Sequence, residues 1–77
     1  MYRQVQEVAV RLFRGEVIEV TDYRGRTWRA THEALTLVDG ARRERAAVGA
    51  YDVADTLVWW AATERIPSLW PAVAAVA

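Results

Sequence analysis

Apolar side chains alternate with polar ones through the middle of the chain and recur every three to four residues on either side of it. In the middle, Ile18 and Val20 alternate with Glu19 and Thr21, the period of a strand with one dry face. Val17, Ile18, Val20, Thr21 and Tyr23 are β-branched or aromatic and suit a pleated, half-buried surface. The run Asp22-Tyr23-Arg24-Gly25-Arg26 supplies turn chemistry: an Asp that bonds nearby backbone and a Gly that tolerates positive φ. Beyond it, Trp28 and Ala30 fall on one face, with Thr27, Arg29 and Thr31 on the other. A third run, Ala34-Leu35-Thr36-Leu37-Val38, stops at the turn pair Asp39-Gly40. Residues 16–39 are therefore predicted to form a hairpin and a third strand, enough for a sheet with a shared apolar face.

The flanks have the other period. Tyr2, Val5, Val8, Ala9, Leu12 and Phe13 follow the i, i+3, i+4, i+7 spacing of one helical face, and Gly15 suits a helix stop. Val8 to Leu12 also alternates, so a strand competes there, and β-branched residues favour it. Residues 40–45 read as a polar connector and 46–51 as a short fourth strand. A helix is expected over 52–65, with Asp52 as its cap and Asp55 in its first turn. Val53, Leu57, Trp60 and Ala61 would line its inner face, and Pro67 lies just beyond its end. The competing reading makes Thr56-Leu57-Val58-Trp59-Trp60 a strand. In the tail, 68–77, Ser68 is a candidate cap for a short Ala/Val-rich helix.

Two architectures follow. The first is α+β: a small antiparallel sheet of three to four strands covered by an N-terminal and a C-terminal helix. The second takes 46–51 and 56–60 as strands and gives an Sm/SH3-like small β-barrel with an N-terminal helix. In that form residues 2–60 resemble Sm-like domains. Residues 16–21 with Asp22 and Gly25 are similar to the family's first strand and its Asp/Asn-Gly turn. Leu35-Thr36-Leu37-Val38-Asp39 is similar to its third strand. The resemblance implies a closed barrel. Gly49-Ala50-Tyr51-Asp52 stands where the family carries its Arg-Gly RNA-contact motif, so the RNA binding that the family implies lacks its contact residues here.

Size sharpens the picture. The 77 residues make one domain, 1–77, with a net stability of about 4–11 kcal/mol at ~0.05–0.15 kcal/mol per residue. Domains this small usually need a staple. The chain has no Cys and a single His, His32, so a disulfide or a Cys-ligated zinc is excluded and no multi-His metal site forms from one chain. Association with a second copy is the remaining supplement. A hydrophobic content of 53% and four Trp favour it, because a small interior has little room for them. The formal net charge is zero and directs the protein to neither nucleic acid nor membrane. All ten basic residues are Arg, the codon habit of a GC-rich genome. No signal peptide is visible and no uncharged run is long enough to span a bilayer, so the expected location is the cytoplasm.

Chemistry-bearing residues are sparse. His32 is adjacent to Glu33, but neighbours in a strand point to opposite faces. Ser68 is the only Ser, so no Ser/His/Asp nucleophile set is available. Glycines stand singly and the carboxylates lack metal-loop spacing. We expect no enzyme, cofactor or metal. Arg24, Arg26 and Arg29, interleaved with Tyr23 and Trp28, and Arg42, Arg43 and Arg45 form two clusters; on one edge they would suit phosphate and base contacts. Trp59 and Trp60 are adjacent, so if Trp60 packs inward Trp59 emerges. Leu69 and Trp70 follow, and Trp is enriched at the centres of interfaces. The expected function is that of a non-catalytic, self-associating interaction module, a C2 dimer by default, with Trp59, Trp60, Leu69 and Trp70 at its interface and a macromolecular partner, protein first. The alternative is a small nucleic-acid-binding regulator that uses the arginine loops.

Overall fold

The computed structural model describes residues 2–38 and 44–70. Its elements run α1 (Tyr2–Phe13), β1 (Ile18–Thr21), β2 (Thr27–Ala30), β3 (Ala34–Leu37), β4 (Arg45–Val48) and α2 (Ala50–Ala62). The four strands form one antiparallel meander in the order β1-β2-β3-β4. Both helices pack on one face of this sheet and against each other. The fold class is thus α+β, with a helix before the sheet and another after it.

The barrel alternative, and with it the Sm-like strand order, is not supported. The sheet is open, with β1 and β4 at its two edges. Residues 56–60, needed as its last strand, lie inside α2. The physical reason is spacing: Val53, Ala54, Leu57 and Val58 are buried at helical intervals, and α1 offers that stripe a second apolar surface. The fourth strand covers only 45–48, and Gly49 ends it. Helix α2 therefore starts two residues before Asp52. Gly49 is its N-cap, without a side-chain hydrogen bond, Asp52 sits in the first turn, and Asp55 falls beyond it.

Strand alternation decides which side chains meet the helices. Ile18 pairs with Ala30, Val20 with Trp28, Trp28 with Leu37 and Ala30 with Leu35, and all of them are buried. The opposite face carries Glu19, Thr21, Arg29 and Thr36, which are exposed or half-buried. A register shift between Leu35 and Thr36 brings Arg45 opposite Thr36. Leu12, Ile18, Leu35, Leu57, Ile66 and Leu69 are the largest fully buried side chains. On α1 the predicted stripe is buried at Val5, Val8, Ala9 and Leu12, whereas Tyr2 and Phe13, at its two ends, lie outside.

Both helices end in the same way, with different residues. At the end of α1, the Gly15 N–H donates to the Leu12 carbonyl at 3.0 Å and the Glu16 N–H to that of Arg11 at 3.2 Å. Gly15 has φ 90°. This is the Schellman pattern, which calls for a left-handed residue and favours Gly. After α2, the Glu64 N–H donates to Ala61 at 3.3 Å and the Arg65 N–H to Trp60 at 2.8 Å. Here the left-handed position holds Glu64, with φ 60°, a conformation that costs a non-Gly residue about 1–2 kcal/mol. The chain then turns back, and Ile66 and Leu69 enter the core.

Candidate functional site

The β1–β2 turn is built on one carboxylate. Asp22 is only 7% exposed. Its Oδ1 accepts the backbone N–H groups of Arg24 and Arg26, each at 2.9 Å. Its Oδ2 accepts Arg26 Nε at 3.1 Å and Trp28 Nε1 at 2.9 Å. The main chain closes the turn, with the Asp22 N–H donating to Arg26 at 2.8 Å and the Gly25 N–H to Asp22 at 2.9 Å. Burial acts to raise the pKa of Asp22. The hydrogen bonds from Trp28, from the Arg26 and Arg24 backbone and from Arg26 Nε outweigh it and hold the carboxyl below its ordinary 3.8.

This turn meets the end of α2. The Tyr23 N–H donates to the Arg65 carbonyl at 2.7 Å, and the Trp60 ring meets that of Trp28 edge-on, with centroids 5.2 Å apart at 68°. A cleft of about 250 Å³ opens between them, lined by Asp22, Tyr23, Arg24, Arg26, Trp28, Trp60 and Arg65. Two of its three arginines rest on rings: the Arg24 guanidinium lies 5.4 Å from the Tyr23 centroid and that of Arg26 5.6 Å from that of Trp28. The Arg24 Nε also donates to the Tyr23 hydroxyl at 3.1 Å.

The predicted arginine set separates. Arg24 and Arg26 enter the cleft. Arg29 is on the open face of the sheet, donating to Glu19 Oε2 from Nε at 3.1 Å and from Nη2 at 3.0 Å, and Arg45 is on that same face beyond Thr36. Arg42, Arg43 and the Asp39-Gly40 turn lie outside the described residues. The strand ends on either side of 39–43 are at the cleft end of the sheet, because the Val38 N–H donates to Thr27 at 2.9 Å and the Leu37 N–H to Glu44 at 2.8 Å. Arg65 was not anticipated from sequence, where it read only as the last residue of a helix. The Glu64 turn brings it beside Tyr23.

The expected interface residues separate as well. Leu69 is buried in the core of its own chain, and Trp60 is half-buried against Trp28. Trp59 stays 55% exposed and Trp70 40% exposed. Trp70 lines a second cleft, of about 220 Å³, with Gln4, Val58, Ala61, Ala62 and Pro67 among its walls. Ala62 is one helical turn beyond Trp59, so the two share a face of α2. The tail 71–77 lies outside the described residues.

His32 and Glu33 are exposed in the β2–β3 turn, at the end of the sheet away from the arginine cleft. Among the described residues there is no group of three or more His, Cys, Asp or Glu placed to hold a metal, and no helix is long and apolar enough to cross a membrane. Comparison with protein-family models, with curated proteins and with solved structures found no match to this chain.

Proposed function

We propose that the protein is a non-catalytic interaction module that self-associates through the outer face of α2 and binds another macromolecule, a protein. The observation that carries this reading is the exposure of Trp59 and Trp70, 55% and 40%, beside a core already closed by Leu57, Ile66 and Leu69. A Trp side chain buries roughly 150–250 Å², so about 60–140 Å² of each indole still meets water. Covering it is worth about 1.5–3.5 kcal/mol per ring at ~25 cal/mol/Å². In a C2 dimer each ring is used twice. The Trp70 cleft supplies a recess next to the Trp59 face, the pairing of knob and hole that an interface centre needs.

The test is mass in solution. Light scattering at rising concentration should give a species heavier than the 8.7 kDa chain, and Trp59→Ala should return it toward the monomer. A monomer at every concentration, unchanged in the variant, would refute self-association.

A further inference from the structure

We propose that the cleft between the β1–β2 turn and the end of α2 is a binding site for a ligand that joins a phosphate group to a planar ring through a linker, as a nucleotide does through its sugar. The proposal takes up the expectation of nucleic-acid contact raised by the arginine loops, moves it to a defined place and adds Arg65. It does not rest on self-association.

Charge gives the first half of the argument. Three arginines and one aspartate line the cleft. The carboxylate is already spent, since both Asp22 oxygens accept two donors each. Of its guanidinium, Arg26 gives only Nε to Asp22. Arg24 and Arg65 have no carboxylate partner among the described residues. Guanidinium forks match phosphate oxygens with paired N–H donors. The groups are also held in advance: Arg24 by the Tyr23 ring and hydroxyl, Arg26 by Asp22 and the Trp28 ring. Arg65 is set by its main chain, which is bonded to both Trp60 and Tyr23. Prior ordering of this kind lowers the entropy cost of binding.

Size and walls give the second half. About 250 Å³ is just under the ~300–1,000 Å³ of sites that hold drug-sized ligands. It is several times the ~30 Å³ that one water occupies in the liquid. A lone oxyanion would leave most of it empty. Tyr23, Trp28 and Trp60 are its aromatic walls; Trp28 is buried, while Tyr23 is exposed and Trp60 half-buried, and these two offer ring surface on which a planar ring stacks. A further feature singles out this place: Glu64, the residue before Arg65, is the one non-Gly positive-φ residue described, and such strain concentrates at binding sites.

The phosphate and ring can come from a free nucleotide or from a single-stranded nucleic acid, and the experiment separates them. Isotope-labelled protein at low salt is titrated with inorganic phosphate, with adenosine monophosphate and with a short single-stranded oligonucleotide, following the Trp28 Nε1–H and the Arg24 and Arg26 Nε–H resonances. Adenosine monophosphate should shift all three and bind more tightly than phosphate. Tighter binding of the oligonucleotide assigns the ligand to a strand, and equal or weaker binding assigns it to the free nucleotide. Arg65→Gln should weaken binding about tenfold, the loss for one charge-assisted contact, with solution mass and circular dichroism unchanged. Arg29→Gln, on the open sheet face, should bind like the parent. The proposal fails if none of the three probes moves the Trp28 resonance, if phosphate alone binds as tightly as the nucleotide, or if Arg29→Gln costs as much as Arg65→Gln.

Discussion

The Trp28 indole N–H donates to the Asp22 carboxylate at 2.9 Å, and this one bond ties the hairpin turn to the core. Trp28 is 5% exposed and faces the helices, while Asp22 holds the turn backbone. Each group supplies what the other needs to be buried. The carboxylate keeps an indole donor from being stranded, and the indole, with three other donors, makes a buried charge tolerable.

Removing the carboxylate should therefore cost more than an average surface change. Asp22→Ala leaves the Trp28 Nε1–H and two backbone N–H groups without their acceptor, at about 1–3 kcal/mol for each one kept dry. We expect a net loss of about 2–4 kcal/mol after water reaches the turn, a large share of the total. Urea unfolding followed by Trp fluorescence measures it, and a loss below about 0.5 kcal/mol would show that the turn is held by something else.

The same carboxylate sets an acid dependence. Its folded pKa lies below the ordinary 3.8. The stabilisation is fully present above 3.8 and is lost as pH falls through the folded value, because the unfolded chain binds the proton first. Stability should decline below about pH 4, and Asp22→Asn should flatten that decline relative to the parent. Parallel slopes in the two proteins would assign the acid sensitivity to other carboxylates.

Adjacent indoles should behave oppositely. Trp60 packs edge-on to Trp28, so Trp60→Ala should lower monomer stability by about 2–3 kcal/mol, somewhat less than the ~3–5 of a fully buried Trp. Trp59 is on the outer face of α2, and Trp59→Ala should change monomer stability by no more than about 0.5 kcal/mol while lowering the associated mass. Unfolding curves at low protein concentration make the comparison, and equal losses would contradict the opposite facing of the two rings.

The turn at Glu64 offers a gain. Glycine has no Cβ penalty at φ 60°, where an L side chain costs about 1–2 kcal/mol, though its own unfolded-state entropy returns roughly 0.5–1 kcal/mol. Glu64→Gly should raise stability by about 0.5–1 kcal/mol, read as a higher urea midpoint with an unchanged slope. A lower midpoint would mean that the Glu64 side chain contributes more than its backbone strain costs.

Local rules carried most of the elements. Alternation at Ile18 and Val20, helical spacing at Val5, Val8 and Leu12, and the Asp22–Gly25 turn chemistry act over a few residues, and these elements formed where expected. The split between Trp59 and Trp60 was legible for the same reason, since neighbours on an element cannot face the same way. Competition between helix and strand over 52–65 was not decided locally. It needed α1, whose apolar stripe gives the one on α2 a place to pack. The N-cap of α2 is Gly49, three residues before Asp52: Asp52 has strong capping chemistry, yet Gly49 is where strand β4 lets go.

The residues by themselves determined the period of each segment, the hairpin turn and the lack of thiols for a staple, because these depend on neighbours in the chain. Only the folded arrangement decided that the sheet stays open, that Leu69 is used at home while Trp59 and Trp70 stay in water, and that Arg65 joins Arg24 and Arg26. Such groupings join parts of the chain some forty residues apart, and they arise from burial of the two helix stripes against one face of the sheet.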